Sequence, residues 1–251
     1  MAGQLAISVA TFNIHHGADE LGAPAIEAQA ALLRGICADV VALQECDVDV
    51  PRSGSVNQVA LLASLAEYPY HAFGANVHLD GGEYGCAILS RLPLSDVLNM
   101  PVPQSDDDAP HLHIDGRTHH RERRGILEAL VETDLGPVVL IVAHASVWPD
   151  ERVRGSEAIL ARLARGVGPA VVTGDFNVED PDAPEIAMLR AALSDAHEDA
   201  GAAQATYPSS APAHRIDRIM SRGLTALAVQ TVPTGASDHS ALRASFALPG
   251  R

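Results

Sequence analysis

Short, nearly continuous apolar runs punctuate this chain, at Leu5–Phe12, Val40–Leu43, Cys86–Leu89, Ile126–Val131, Val138–Ala143, Ala170–Thr173, Ile216–Met220 and Ala241–Leu248. Runs of this length without polar alternation predict strands buried on both faces. Between them the period lengthens to that of a helix. After Pro24, Ile26, Ala30, Leu33 and Cys37 share one face, and Pro24 suits a first turn. Asn57–Glu67 continues the pattern through Val59, Leu62 and Ala63. Asp150–Arg165 opens on Asp150 as a cap and keeps Val153, Leu160 and Leu163 on one side. Pro184–Leu193 is a shorter helix. Strands and helices interleaved without a linker predict one α/β domain over residues 1–251. Two stretches predict long loops: Pro101–Arg124, with Asp106-Asp107-Asp108, four histidines and four arginines, and Asp199–Arg215, rich in Ala, Pro and Ser.

Composition narrows the class. A chain of 251 residues that is 47% hydrophobic and 20% charged can build one substantial core. No stretch approaches ~18 consecutive apolar residues, so membrane insertion is not expected. The first residues show no basic segment followed by an apolar one, and Cys37, Cys46 and Cys86 have spacings of neither a disulfide framework nor a zinc set. A cytoplasmic protein with reduced, buried thiols is expected. The net charge is −15, from 32 acidic and 17 basic residues, and every basic residue is arginine. Proteins that hold nucleic acid through its phosphates carry a basic surface, so this balance weighs against a tight, non-specific nuclease. Neither a basic amphipathic helix nor any feature demanding an obligate protein partner is present.

Chemistry collects where the predicted strands end. The first ends in Asn13, followed by His15 and His16, and the second in Gln44-Glu45. The third follows Glu83-Tyr84-Gly85. Val138–Ala143 runs into His144, and Ala170–Thr173 into Gly174-Asp175-Phe176-Asn177. Asp217 and Asp238-His239 come late in the chain. This inventory is rich in oxygen donors, which suits a hard divalent cation and suits zinc poorly. Histidines add hydrogen-bond donors for an anion. A cation, a carboxylate beside a water and imidazole donors are the parts needed to hydrolyse a phosphoester.

In order along the chain, Asn13, Gln44-Glu45, Tyr84-Gly85 with Ala87-Ile88-Leu89-Ser90-Arg91, His144, Gly174-Asp175-Phe176-Asn177, Arg215-Ile216-Asp217 and Ser237-Asp238-His239 resemble the motifs of the endonuclease/exonuclease/phosphatase superfamily, the deoxyribonuclease I-like phosphoesterases. The likeness runs from about Phe12 to His239. It implies a four-layer α/β sandwich, with two mixed β-sheets flanked by helices and the site at one edge. It also implies Mg²⁺, or Mn²⁺, held by Glu45, Asn13 and Asp238. Asp175, helped by Asn177, would position the attacking water. His239, paired with Asp217, and His144 would contact the phosphate, with Tyr84 or Glu83 in support. Apart from the resemblance, Arg121, Arg123 and Arg124 lead into a strand and read either as an exposed charged loop or as a source of one phosphate contact, for which Arg124 is the candidate. The chain departs from the family pattern at Ala143-His144-Ala145, where Thr-His-Leu is usual, at Cys86, and at Arg218, where an aromatic residue is common.

The expected activity is therefore hydrolysis of a phosphoester, either a small molecule or a nucleic acid. A catalytically silent binding module on the same scaffold would lack one of these residues, and none is missing. His15 and His16 are adjacent, so on a strand they would face opposite ways and make poor co-ligands. His111, His113, His119 and His120 read as a solvated loop, and Trp148 either as packing at a helix entry or as a stacking surface. The long loop Pro101–Arg124 is the expected substrate lid.

Overall fold

In the computed structural model, residues 6–105, 109–200 and 205–248 are described. Strand β1 (Ala6–Asn13) is buried from Ile7 onward. A 3-10 turn at His15–Gly17 and helix α1 (Ile26–Ile36) return the chain to β2 (Val40–Val48), parallel to β1 with Asn13 opposite Gln44. Helix α2 (Gln58–Leu65) begins where Asn57 Oδ1 accepts the Ala60 N–H at 2.9 Å, satisfying a first-turn donor. The hairpin of β3 (Tyr70–Leu79) and β4 (Gly82–Ser90) follows, then β5 (Leu94–Pro101). A small hairpin, β6 (His111–Leu112) and β7 (Thr118–His119), precedes β8 (Gly125–Thr133) and β9 (Gly136–His144). Helix α3 (Pro149–Leu163) leads to β10 (Ala170–Asp175), parallel to β9 with Asp175 opposite His144. Helix α4 (Pro184–Arg190), β11 (Ser194–Asp195) and α5 (Ala196–Ala200) come next. Strands β12 (Asp217–Arg222), β13 (Thr225–Val232) and β14 (Ala241–Ala247) complete the fold.

The strands form two six-stranded mixed sheets, in the orders β13-β14-β1-β2-β4-β3 and β11-β12-β10-β9-β8-β5. Each sheet has one parallel pair at its centre, β1 with β2 and β9 with β10, and is otherwise antiparallel. The sheets pack face to face: Ile7, Val9 and Phe246 of the first share an apolar cluster with Leu127, Leu140 and Val171 of the second. Helices α1 and α2 cover the outer face of the first sheet, with Leu33 and Leu62 against Phe12 and Leu43. Helices α3 and α4 cover the second, with Ile159 and Ile186 against Ile141 and Val172. Each such buried side chain contributes roughly 2 kcal/mol. The result is the expected four-layer sandwich.

Local expectations shift in several places. Pro24 lies one residue before the cap of α1, which is Ala25. Helix α3 starts earlier than expected, with Trp148 as cap and Pro149 in the first turn, because a proline ring suits that position and needs no hydrogen-bond donor. Its buried residues are Glu151, Ser156, Ile159 and Leu163, so Val153 and Leu160 flank the stripe. Cys46 and Cys86 are buried, but Cys37 is exposed, in a left-handed position ending α1. Asp106-Asp107-Asp108 and part of Asp199–Arg215 lie outside the described residues. Among the described residues no helix is long and apolar enough to cross a membrane.

Candidate active site

The two parallel pairs deliver their C-terminal ends to one place. Asn13 closes β1, His144 closes β9 and Asp175 closes β10, and all three are buried. Asn13 bridges the sheets: its Nδ2 donates to Glu45 Oε1 at 3.0 Å and to Asp175 Oδ2 at 3.2 Å. The antiparallel neighbour β12 brings Asp217 opposite Asp175. Asp217 Oδ2 lies 2.8 Å from His239 Nδ1 and accepts the Thr206 hydroxyl at 2.6 Å. The other ring nitrogen, His239 Nε2, sits 3.7 Å from Asp175 Oδ2.

Backbone irregularities aim several of these groups. The ladder between β2 and β4 slips between Leu43 and Cys46, and Glu45 within the slip has φ 60°. A bulge with a left-handed residue re-aims its side chain, here out of the strand and into the site. Asn177 has φ 51°, and its N–H donates to Asp175 Oδ1 at 2.9 Å. Gly174 has φ 145°, and a Cβ there would stand 1.8 Å from the Ala143 carbonyl oxygen. Only glycine lets β10 approach β9 this closely while Asp175 turns inward.

The electrostatics separate the two histidines. Burial opposes charge on His239, but Asp217 at its Nδ1, with Asp175 and Asp238, holds its pKa up at about 10, so the ring is an imidazolium. Burial drives His144 well below the usual value, and the Arg124 and His239 charges push it further. Arg124 Nη1 lies 3.2 Å from His144 Nδ1. A guanidinium can only donate, so that nitrogen carries no proton and Nε2 does. His144 Nε2 is 3.6 Å from Asp175 Oδ2 and 3.9 Å from Glu45 Oε1. Burial also raises the pKa of Asp175, and Asp217 adds to the rise. Asp238 is raised by burial and by the Glu45 carboxylate.

Carboxylates crowded enough to destabilise one another's charge, with oxygen as the available donor, fit a hard divalent cation. Glu45 and Asp238 line the same cavity, and both side chains are reachable by solvent. Among the described residues, the group whose donor atoms fall within 4.8 Å of one another is Asp175, Asp217 and His239. There the imidazole and Asp217 already bind each other. Asn13, expected as a cation ligand, lies between two of the carboxylates. Its Oδ1 accepts the His15 N–H at 3.0 Å, so the amide turns NH₂ toward Glu45 and Asp175 and orients them.

A model of the endonuclease/exonuclease/phosphatase family matches residues 10–239. The chain belongs to this family. It is 27% identical to YbhP, an uncharacterized protein of Escherichia coli K12, over 98% of each chain. Among solved structures it resembles a family protein from Beutenbergia cavernae, with TM-score 0.76 and 24% identity over 98% of this chain and 72% of that one. It also resembles the mannosyl-6-phosphatase Bt3783 of Bacteroides thetaiotaomicron, with TM-score 0.74 and 16% identity over 96% and 99%.

Family motifs do not predict every neighbour. Tyr84 is buried and lines the cavity, with the Arg52 guanidinium over its ring at 5.2 Å, whereas Glu83 alternates to the other face and lies 3.7 Å from His78. Arg124 lines the cavity and pairs with Glu122. His15 and His16 sit in the 3-10 turn with φ near 45°, not on a strand, and both line the cavity. Trp148 is buried and packs against His111 and Arg121 rather than facing the site. His113 does not belong to a solvated loop: its Nε2 lies 3.1 Å from Asn177 Oδ1. Its only signal in the sequence is its place in a histidine-rich loop. Arg218 is fully buried and donates to the carbonyls of Val178 and Glu179, which explains a cation where the family favours an aromatic ring.

Proposed function

We propose that this protein is a divalent-metal-dependent phosphoester hydrolase that uses an activated water. Family membership supports the reaction class, since nucleases and phosphatases both cleave phosphoesters. The observation that carries the reading is the position of Asp175, between the orienting amide of Asn13, the Nε2–H of neutral His144 and the imidazolium of His239.

Buried and raised toward neutrality, Asp175 can orient a water and take its proton, while Asn177 N–H holds the other carboxylate oxygen still. His239 offers a charged donor at Nε2 to a phosphoryl oxygen, and Asp217 with Thr206 fixes its ring. His144 offers a neutral donor, kept in one tautomer by Arg124. Glu45 and Asp238 would hold Mg²⁺ or Mn²⁺, which when bound neutralises phosphate charge and polarises the ester. The test is hydrolysis of p-nitrophenyl phosphate and bis(p-nitrophenyl) phosphate with Mg²⁺, with Mn²⁺ and with chelator. Activity should require a cation, and Asp175→Asn should lower kcat by about 10³-fold. Turnover untouched by chelator, or by Asp175→Asn, would overturn the proposal.

A further inference from the structure

The histidine-rich loop Pro101–Arg124 builds a wall of the candidate site's cavity. The cavity has a volume of about 370 Å³ and is lined on one side by Glu45, His144, Asp175 and His239. On another side it is lined by His113, Asp115, Arg117 and His119 from the β6–β7 hairpin, with Glu122 beyond it. This hairpin is held in place. His119 Nε2 lies 2.8 Å from Asp115 Oδ2, and the Arg117 N–H donates to Asp115 Oδ1 at 2.8 Å. Behind it, His111 packs on Trp148 with ring centroids 5.7 Å apart, and Trp148 Nε1 donates to the Ala109 carbonyl at 3.3 Å. The His113–Asn177 contact fastens the wall to the residue two positions after Asp175.

A cavity of this volume is of the size that holds one small ligand. A polynucleotide needs cations for successive phosphates and aromatic faces for successive bases. Here two of the cations lining the cavity are committed to carboxylates, Arg52 to Asp47 with two contacts of 2.9 Å and Arg124 to Glu122. The third arginine lining the cavity, Arg117, shares the wall with the Asp115 carboxylate, so among the described residues the cavity offers no row of free cations for successive phosphates. Carboxylates and imidazoles are instead good partners for hydroxyl groups.

Resting on the hydrolase reading, we infer that the substrate is a small phosphomonoester of a polyhydroxylated alcohol, with its hydroxyls on the β6–β7 wall and its phosphate at Asp175 and His239. The experiment compares kcat/KM for glucose 6-phosphate, myo-inositol 1-phosphate, p-nitrophenyl phosphate, a 12-nucleotide single strand and a 12-base-pair duplex, all with Mg²⁺. A hydroxylated monoester should exceed both oligonucleotides by at least about 100-fold. Asp115→Ala should raise its KM at least about tenfold more than it raises the KM for p-nitrophenyl phosphate. Glu122→Gln, which leaves the Asp115–His119 pair intact, should act in the same direction and covers the case that Asp115→Ala loosens the hairpin. Oligonucleotide cleavage at equal or greater kcat/KM would overturn the inference and leave the hydrolase reading standing. Equal KM changes for both monoesters in the two variants would overturn it as well. Failure to hydrolyse any of these esters, or bis(p-nitrophenyl) phosphate, would remove both.

Discussion

At Gly174 the room beside Ala143 admits a hydrogen atom and nothing larger. The φ of 145° is costly for any residue with a side chain, and a Cβ would collide with the Ala143 carbonyl at 1.8 Å. Backbone cannot give way here as the end of a flexible side chain can. Gly174→Ala should therefore lose about 3 kcal/mol or more of stability in urea unfolding, and a loss below about 1 kcal/mol would refute the close-approach argument. At the same scale, Asp217 acts on the reaction through His239. Asp217→Asn should lower kcat by about 10²-fold and also lower the melting temperature, because it removes the carboxylate that holds buried His239 as an imidazolium. A wild-type kcat in this variant would show that the ring of His239 needs no such partner. Neither geometry is visible in a string of letters. Glycine and aspartate were legible as types at the ends of apolar runs; the bulge that turns Glu45 inward, and the 3-10 turn that brings His15 and His16 to the cavity, were not, since both depend on how the chain leaves the sheet.

The strands divide cleanly by position in their sheets. The interior strands β1, β2, β4, β8, β9, β10, β12 and β14 are those that the apolar runs predicted, while β3, β13, β5 and β11 lie at the four edges and were not predicted. An interior strand is covered on both faces and writes an apolar run. An edge strand such as β3 is half exposed, with polar residues at His71, Asn76 and His78, and resembles a loop. The β6–β7 hairpin is shorter still. The site escaped this limit because its groups sit at the ends of interior strands. Arg218 in β12 links element to site. Its guanidinium reaches Asp195 Oδ2 at 3.2 Å and the Glu179 carbonyl at 3.0 Å, tethering the segment that follows Asn177. Arg218→Met nearly keeps the volume but takes the donor from the buried Val178 carbonyl and from buried Asp195, and should cost about 2–3 kcal/mol and lower kcat several-fold. Urea unfolding and steady-state kinetics read the two effects separately. Loss of stability with unchanged kcat would show that the tether does not position Asn177.

For the molecule as a whole, acid tolerance falls on a group remote from the proposed reaction. His197 in α5 is buried, neither ring nitrogen has a hydrogen-bond partner among the described residues, and Asp195, Arg215 and Arg218 surround it. Burial, followed by the Arg215 charge, lowers its pKa from 6.5 to about 4. The folded protein thus binds this proton less readily than the unfolded chain. Between pH 6.5 and 4 the unfolded state holds more protons, so stability rises with pH across that window. The contribution is complete above about 6.5, declines as pH falls, and is lost below about 4, amounting to about 3 kcal/mol. Many carboxylates also titrate in acid, given 32 acidic residues, so wild type alone cannot isolate the effect. His197→Gln removes this ionisation and leaves the others. The stability difference between wild type and His197→Gln, measured by urea unfolding at pH 7, 5.5 and 4, should move against wild type by about 3 kcal/mol as pH falls. A difference that stays constant across those values would mean that His197 becomes charged as easily inside the protein as outside it.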